Sequence, residues 1–289
     1  MSKLKIGIIG SGISGLSCAW YLAQKFKVDI YEKNNYFGGH SNTHSFKINN
    51  KNINIDTGFI VFNKLNYPKL CNFFKVLNVS SYESDMSFSV SMDNGNLEYS
   101  GSSLFSIFAQ KKNLINFNFL KMLYEIIRFY NQVEKDREEF KNISISKYLN
   151  IKNYSNYFTY NHLYPMASSI WSSPINQISK YPFGEFVNFF SNHGLLRIFN
   201  RPKWRTVRGG SKEYVKKVLL NKKITSFKNQ KIIINKKRNG KWEVMSNNKV
   251  KSYDHIVVSV HSDQVKNIFT KQTFNYLNIF EKIKYSKNI

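Results

Sequence analysis

The chain has 289 residues, of which 42% are hydrophobic and 16% aromatic, which excludes a disordered chain and allows one large domain or two smaller ones. Its formal net charge is +25, from 43 Lys and Arg against 18 Asp and Glu. Two cysteines, Cys18 and Cys71, exclude a disulfide framework and fit a reducing compartment.

The positive charge has two readings. One is an anionic partner such as a phospholipid surface. The other is compositional bias toward Lys, Asn, Ile, Phe and Tyr, and the scattering of the lysines along the chain favours it. A nucleic-acid footprint would gather the charge on one face, so no nucleic-acid partner is expected. Peripheral contact with an anionic membrane stays open beside the bias. The N-terminal apolar stretch is broken by Gly7, Gly10, Gly12 and Gly15 and has no cleavage site of a signal peptide. With no apolar run near the ~20 residues that span a bilayer, a cytoplasmic protein is expected.

Residues 4–9 form a short apolar run suited to a buried parallel strand. Gly10-Ser11-Gly12-Ile13-Ser14-Gly15 follows at once and leads into helical spacing over residues 16–23. A second strand, Val28-Asp29-Ile30-Tyr31, ends in Glu32. Gly10 permits a tight turn, Gly12 a close backbone approach to a pyrophosphate, and Gly15 close packing of the helix on the strand. The helix N-terminus offers free N–H groups and its positive dipole end to phosphate. Glu32 stands where an acid accepts hydrogen bonds from a ribose hydroxyl, which disfavours the 2′-phosphate of NADP. This fingerprint does not separate NAD from FAD. Beyond the acid come Lys33 and then Gly38-Gly39-His40, a glycine pair that allows a second close approach to the dinucleotide.

Further along, Asp56-Thr57-Gly58 follows a hairpin-like stretch. Glu98-Tyr99-Ser100-Gly101, Pro165-Met166-Ala167 with Trp171, Asn192-His193-Gly194, Trp204-Arg205-Thr206-Val207-Arg208-Gly209-Gly210 and His261-Ser262-Asp263-Gln264 come after it. Together these segments resemble a bacterial family of NAD/FAD-binding, amine-oxidase-like oxidoreductases. The resemblance implies an α/β fold, with an FAD/NAD(P)-binding Rossmann-like βαβ domain and an inserted α+β substrate domain. Residues 1–63 would open the FAD domain, 64–204 form the insertion, 205–270 return to the FAD domain and 271–289 begin a second return to the insertion.

In the returning part, residues 231–234, 242–245 and 255–260 read as three strands, with turns at Asn239-Gly240 and Asn247-Asn248. The resemblance implies that a backbone group of the first, at Ile232, meets the adenine. In the insertion, residues 114–140 have helical spacing, with Phe119, Leu120, Leu123, Ile126, Ile127 and Tyr130 as the apolar stripe. The stripe reads chiefly as core.

What the resemblance implies chemically is FAD as cofactor and hydride removal from an amine or an apolar, lipid-like substrate such as an acyl chain. The flavin would carry the chemistry, so no dedicated acid, base or nucleophile is expected. Six His and two Cys without ligand spacing give no metal site. The cofactor residues expected are Gly10, Ser11, Gly12, Ile13, Ser14, Gly15, Glu32, Lys33, Gly38, Gly39, His40, Thr57, Gly58 and Ile232. Trp171, His193, Trp204 and Arg208 are substrate-pocket candidates, and Gly209-Gly210 a further place for close approach to the cofactor. No glycine follows Gly240, whereas the family pattern continues to a glycine-containing segment beside the flavin. The expectation is an incomplete flavin end, completed by further chain or a second polypeptide, or else a non-catalytic nucleotide-binding subunit.

Overall fold

Side chains of a parallel strand alternate between two covered faces, and the first strand shows both. Ile6 and Ile8 join Val28, Ile30 and Leu16 in one core, while Ile9 joins Tyr31, Ile232 and Ile234 in another. The computed structural model describes residues 4–197, 200–237, 239–270, 277–283 and 285. The chain divides into two compact units, one of Met1–Ser84 with Trp204–Tyr285 and one built from Asp85–Lys203.

The first unit opens with β1 (Lys5–Ile9), α1 (Ile13–Leu22) and β2 (Lys27–Tyr31). A ribbon of β3 (Thr43–Ile48) and β4 (Lys51–Asp56) follows, then β5 (Phe62–Asn63), α2 (Pro68–Val76) and β6 (Ser81–Glu83). The chain re-enters with β7 (Trp204–Val207), α3 (Lys212–Leu219) and β8 (Ile224–Phe227). Strands β9 (Ile232–Lys236), β10 (Trp242–Ser246), β11 (Lys249–Tyr253) and β12 (His255–Val258) lead to α4 (Ser262–Ile268). The central sheet has the order β8-β2-β1-β12, all parallel, so chain from both ends of the sequence forms one surface. Strands β9, β10 and β11 make an antiparallel meander, and β7 lies between β5 and β6.

Three expectations need correction. The stretch after residue 230 holds four strands rather than three, because β11 is a polar strand whose Lys249, Val250, Lys251 and Ser252 are all exposed. Residues 64–84 group with the first unit, whereas the sequence assigned them to the insertion. Phe73, Phe74 and Leu77 pack in the core of Val28 and Tyr214, and β6 pairs with β7. The part expected to turn back over 271–289 falls largely outside the described residues, and Leu277–Lys282 is a 3₁₀ segment of the first unit.

The second unit joins a hairpin, Ser89–Met92 with Leu97–Ser100, to a set of helices, of which Phe117–Phe140 is the longest. Asn116 caps that helix by accepting from the Phe119 N–H at 3.2 Å. Its buried face is not the stripe read from the apolar residues alone. Phe119, Met122, Phe129 and Val133 are fully buried, whereas Leu120 and Ile127 are 40% and 48% exposed. The stripe rotates because two carboxylates on the inner face have partners there. Glu125 accepts from the Ser155 N–H at 2.9 Å; Asp136 accepts from the Tyr148 hydroxyl at 2.8 Å and lies 3.1 Å from the Lys152 ammonium.

Candidate dinucleotide site

The glycine turn sits at the carboxyl end of β1, where open parallel sheets place their ligand crevice. Gly10 has φ +101°, and a Cβ on it would fall 2.6 Å from the Ser259 carbonyl oxygen, so only glycine suits the turn. A Cβ on Gly15 would fall 1.9 Å from the Gly10 carbonyl oxygen, which fixes how closely α1 lies against the turn. Gly12 differs, since nothing lies within 4 Å of its Cβ position. Gly12 is also the N-cap of α1 and offers no side-chain cap, and the first turn of the helix holds no acid. The backbone there faces open space, and among the described residues no side chain caps the helix from its N-cap, a cradle that a phosphate fits.

Glu32, buried at the end of β2, holds this turn in place. Ser11 donates its N–H at 3.1 Å and its hydroxyl at 2.5 Å to Glu32 Oε2, and the Asn34 N–H donates to Oε1 at 2.9 Å. Ser11 in turn accepts from the Gly38 N–H, at its carbonyl (3.1 Å) and its hydroxyl (3.2 Å). The second glycine loop is thereby fastened to the first. Gly39, at φ +59°, would place a Cβ 3.1 Å from the Gly12 Cα. Behind the loop, Ser41 and Tyr214 share a hydrogen bond of 2.5 Å, and burial pushes the Tyr214 phenol up to about 12.

A cavity of about 1180 Å³ opens over these loops. That exceeds the ~300–1,000 Å³ common for drug-sized ligands and suits an elongated dinucleotide. Of the residues expected at the cofactor, Gly10, Ser11, Gly12, Ile13, Ser14, Glu32, Lys33, Gly38, Gly39, His40 and Ile232 line it. Gly15, Thr57 and Gly58 do not. Thr57 donates to the Asn42 carbonyl, and Gly58 runs behind His40, whose carbonyl oxygen would lie 2.3 Å from a Cβ there.

The sequence reading missed the far wall. Ser259, Val260, His261 and Gln264 line the cavity because β12 pairs with β1 and ends beside it, with the Ser259 N–H donating to the Ile9 carbonyl at 2.8 Å. Lys33 reaches across to Gln264 at 3.1 Å, and the His40 and His261 rings stack at 5.9 Å. The signal was present, since a parallel strand read at 255–260 has its carboxyl end on the ligand side.

Residues 8–77 match the NAD(P)-binding Rossmann-like domain family. No curated protein matches the sequence. Three solved structures share the fold over nearly the whole chain, each with a TM-score of 0.62. One is a protein of Exiguobacterium sp. 255-15 assigned as a protoporphyrinogen oxidase, 14% identical, with 93% of this chain and 62% of that one covered. The second is a putrescine oxidase variant, 16% identical, with 96% and 63% covered. The third is an oxidoreductase from Methanosarcina mazei, 15% identical, with 96% and 64% covered. The chain thus shares the fold of these three structures. This chain spans less than two thirds of the length of those three structures.

None of the four substrate-pocket candidates lines the cavity. Trp171 stacks on Tyr181 at 4.6 Å and meets Phe186 and Phe190 edge-on, inside the aromatic core of the second unit. His193 stacks on Phe189 at 4.1 Å at the end of its own helix. Trp204 pairs with Asn63 in β7, and the Arg208 guanidinium lies over the Tyr82 ring at 5.5 Å. The Gly209-Gly210 pair does not line the cavity either and serves close packing. A Cβ on Gly210 would fall 2.4 Å from the Thr43 methyl, and one on Gly209 would meet Glu213.

Proposed function

We propose that this chain binds FAD across the two glycine loops and forms the dinucleotide-binding part of an FAD-dependent oxidoreductase. The observation that carries the reading is the open cradle at Gly12, with uncapped helix N–H groups below it and the Gly38-Gly39 loop fastened against it. Two glycine loops meeting at one point support a dinucleotide gripped from two sides, which favours FAD over NAD. Glu32 disfavours NADP, because a second negative charge would face its carboxylate.

Hydride acceptance is the chemistry FAD supplies when bound. In this reading the Ile13 and Ser14 N–H groups take the pyrophosphate, Glu32 holds the Ser11 loop and meets the ribose, and a backbone group of Ile232 meets the adenine. The substrate proposed is an amine or an apolar, lipid-like molecule. The likeness to a putrescine oxidase supports the amine, and the aromatic second unit supports the apolar alternative. A second reading is a nucleotide-binding subunit without flavin chemistry of its own, and the match of residues 8–77 to the NAD(P)-binding Rossmann-like domain family, which names no flavin, supports it.

The visible spectrum of the purified chain, taken before and after incubation with FAD and desalting, tests the proposal. A retained flavin spectrum supports it, and bleaching by amines or acyl compounds under anaerobic conditions then sorts the substrate class. A folded, colourless protein that still binds ADP or NAD turns the reading to the subunit alternative.

A further inference from the structure

Residues 104–127 carry apolar side chains where a folded unit would bury them. Phe105, Ile115 and Phe117 are 93%, 88% and 77% exposed, and Leu104, Leu120 and Tyr124 are exposed beside them. This is not a frayed segment. Ser103 and Ser106 form a capping box on Leu104–Ile107, Phe108 packs edge-on against Phe119 at 6.0 Å, and Asn116 caps the long helix. Phe117, Leu120, Tyr124 and Ile127 fall on one side of that helix, opposite the face that holds Met122, Phe129 and Val133.

Charge accompanies the apolar patch. Lys111, Lys112 and Lys121 are exposed within the same segment, and no Asp or Glu occurs between Glu98 and Glu125. Protruding aromatic and aliphatic side chains, interleaved with Asn and Ser and flanked by Lys, match the boundary between headgroups and acyl chains of an anionic bilayer. A second copy of this chain meeting the patch by two-fold symmetry would set three lysines against three lysines. Among the described residues no helix is long and apolar enough to cross a membrane, so a contact here would be peripheral.

We infer that this face docks on an anionic phospholipid surface, with Phe105, Ile115 and Phe117 inserted and Lys111, Lys112 and Lys121 at the headgroups. The inference stands apart from the flavin reading, and its test does not use the cofactor.

Co-sedimentation of the full chain with vesicles of phosphatidylglycerol and phosphatidylcholine in equal parts is the test, with pure phosphatidylcholine vesicles as the neutral comparison. Binding is expected to the mixed vesicles only. The Phe105→Ser, Ile115→Ser, Phe117→Ser triple variant should bind at least about tenfold more weakly. Lys111→Gln, Lys112→Gln and Lys121→Gln should each cost roughly fivefold, whereas Lys222→Gln, Lys228→Gln and Lys249→Gln, an equal charge loss at exposed sites elsewhere, should leave binding nearly unchanged. Equal losses in the two lysine sets would reduce the effect to diffuse charge and overturn the proposal. So would failure of the wild type to bind, or sedimentation velocity showing that the serine variant abolishes a dimer while vesicle binding persists.

Discussion

Gly12 and Gly15, three residues apart, do different jobs, and substitution should separate them. At Gly12 a side chain projects into open space, so Gly12→Val should leave the melting temperature within about 2 °C while weakening dinucleotide binding at least about tenfold by filling the phosphate cradle. At Gly15 even a methyl group meets the Gly10 carbonyl, so Gly15→Ala should destabilise the fold by about 1–3 kcal/mol or more. Thermal melts and titration with FAD, run on both variants, check the contrast. His162 supplies a pH-dependent residue of a different kind. It is buried, its Nδ1 lies 2.9 Å from the Tyr99 hydroxyl, and its Nε2 has no hydrogen-bond partner among the described residues. Burial, helped by the Arg201 charge, pushes its imidazole down from 6.5 to about 3. The unfolded chain therefore takes up a proton below 6.5 that the folded chain refuses, and stability is full above 6.5 and falls as the pH drops toward 3. The loss over that window should be roughly 3–5 kcal/mol. Denaturant midpoints measured from pH 7 to pH 4 should fall more steeply for the wild type than for His162→Gln; equal slopes would remove His162 as the cause.

At the scale of elements, the return of the chain into the first unit depends on one carboxylate. Asp56, at the end of β4, accepts from the Thr43 hydroxyl at 2.5 Å, the Ser211 hydroxyl at 2.8 Å and the Ser211 N–H at 3.0 Å. It thus ties the ribbon to the start of α3, where its charge also favours the positive end of the helix. Asp56→Ala should cost about 2–4 kcal/mol, because three donors lose a charged acceptor in a partly buried place. Urea unfolding would show this, with a smaller change in dinucleotide affinity, since Asp56 does not line the cavity. The turn read at Asn247-Asn248 was legible. Both residues take left-handed backbone angles, as a two-residue turn between antiparallel strands needs, and asparagine tolerates that region better than other side chains; Asn49-Asn50 does the same between β3 and β4. Strand β11 was not legible, because an exposed strand rich in Lys and Ser has no alternation to read.

At the scale of the whole molecule, the insertion leaves and rejoins the first unit at one place. Glu83 pairs with Arg205, and the Ser84 N–H donates to the Trp204 carbonyl at 3.0 Å. A tight turn of about two to four residues can therefore join Ser84 to Trp204 in place of Asp85–Lys203. All the residues that line the cavity belong to the unit that remains. The excised protein should fold and bind ADP or FAD within about tenfold of the full chain, as read by circular dichroism and fluorescence titration. Loss of the nucleotide with the fold intact would show that the cavity needs the insertion.

Residues 5–32 disclosed the dinucleotide loop because its parts are contiguous. Strand, glycine turn, helix and acid act on one another over fewer than thirty positions, and each glycine has a steric reason that spacing alone reveals. The likeness of later segments extended that reading to the whole fold. Tertiary structure decided the rest. Ser259 and His261 reach the cavity only because β12 pairs with β1 across some 250 residues of chain, with Ile9 beside Val258. At Gly209-Gly210, read as a place for close approach, the neighbour that comes close to Gly210 is Thr43. Trp171 and His193, read as pocket candidates, each join an aromatic stack. A sequence shows which backbone can come close to something. The partner that comes close is set by distant chain, through the packing that buries apolar surface on both faces of the sheet.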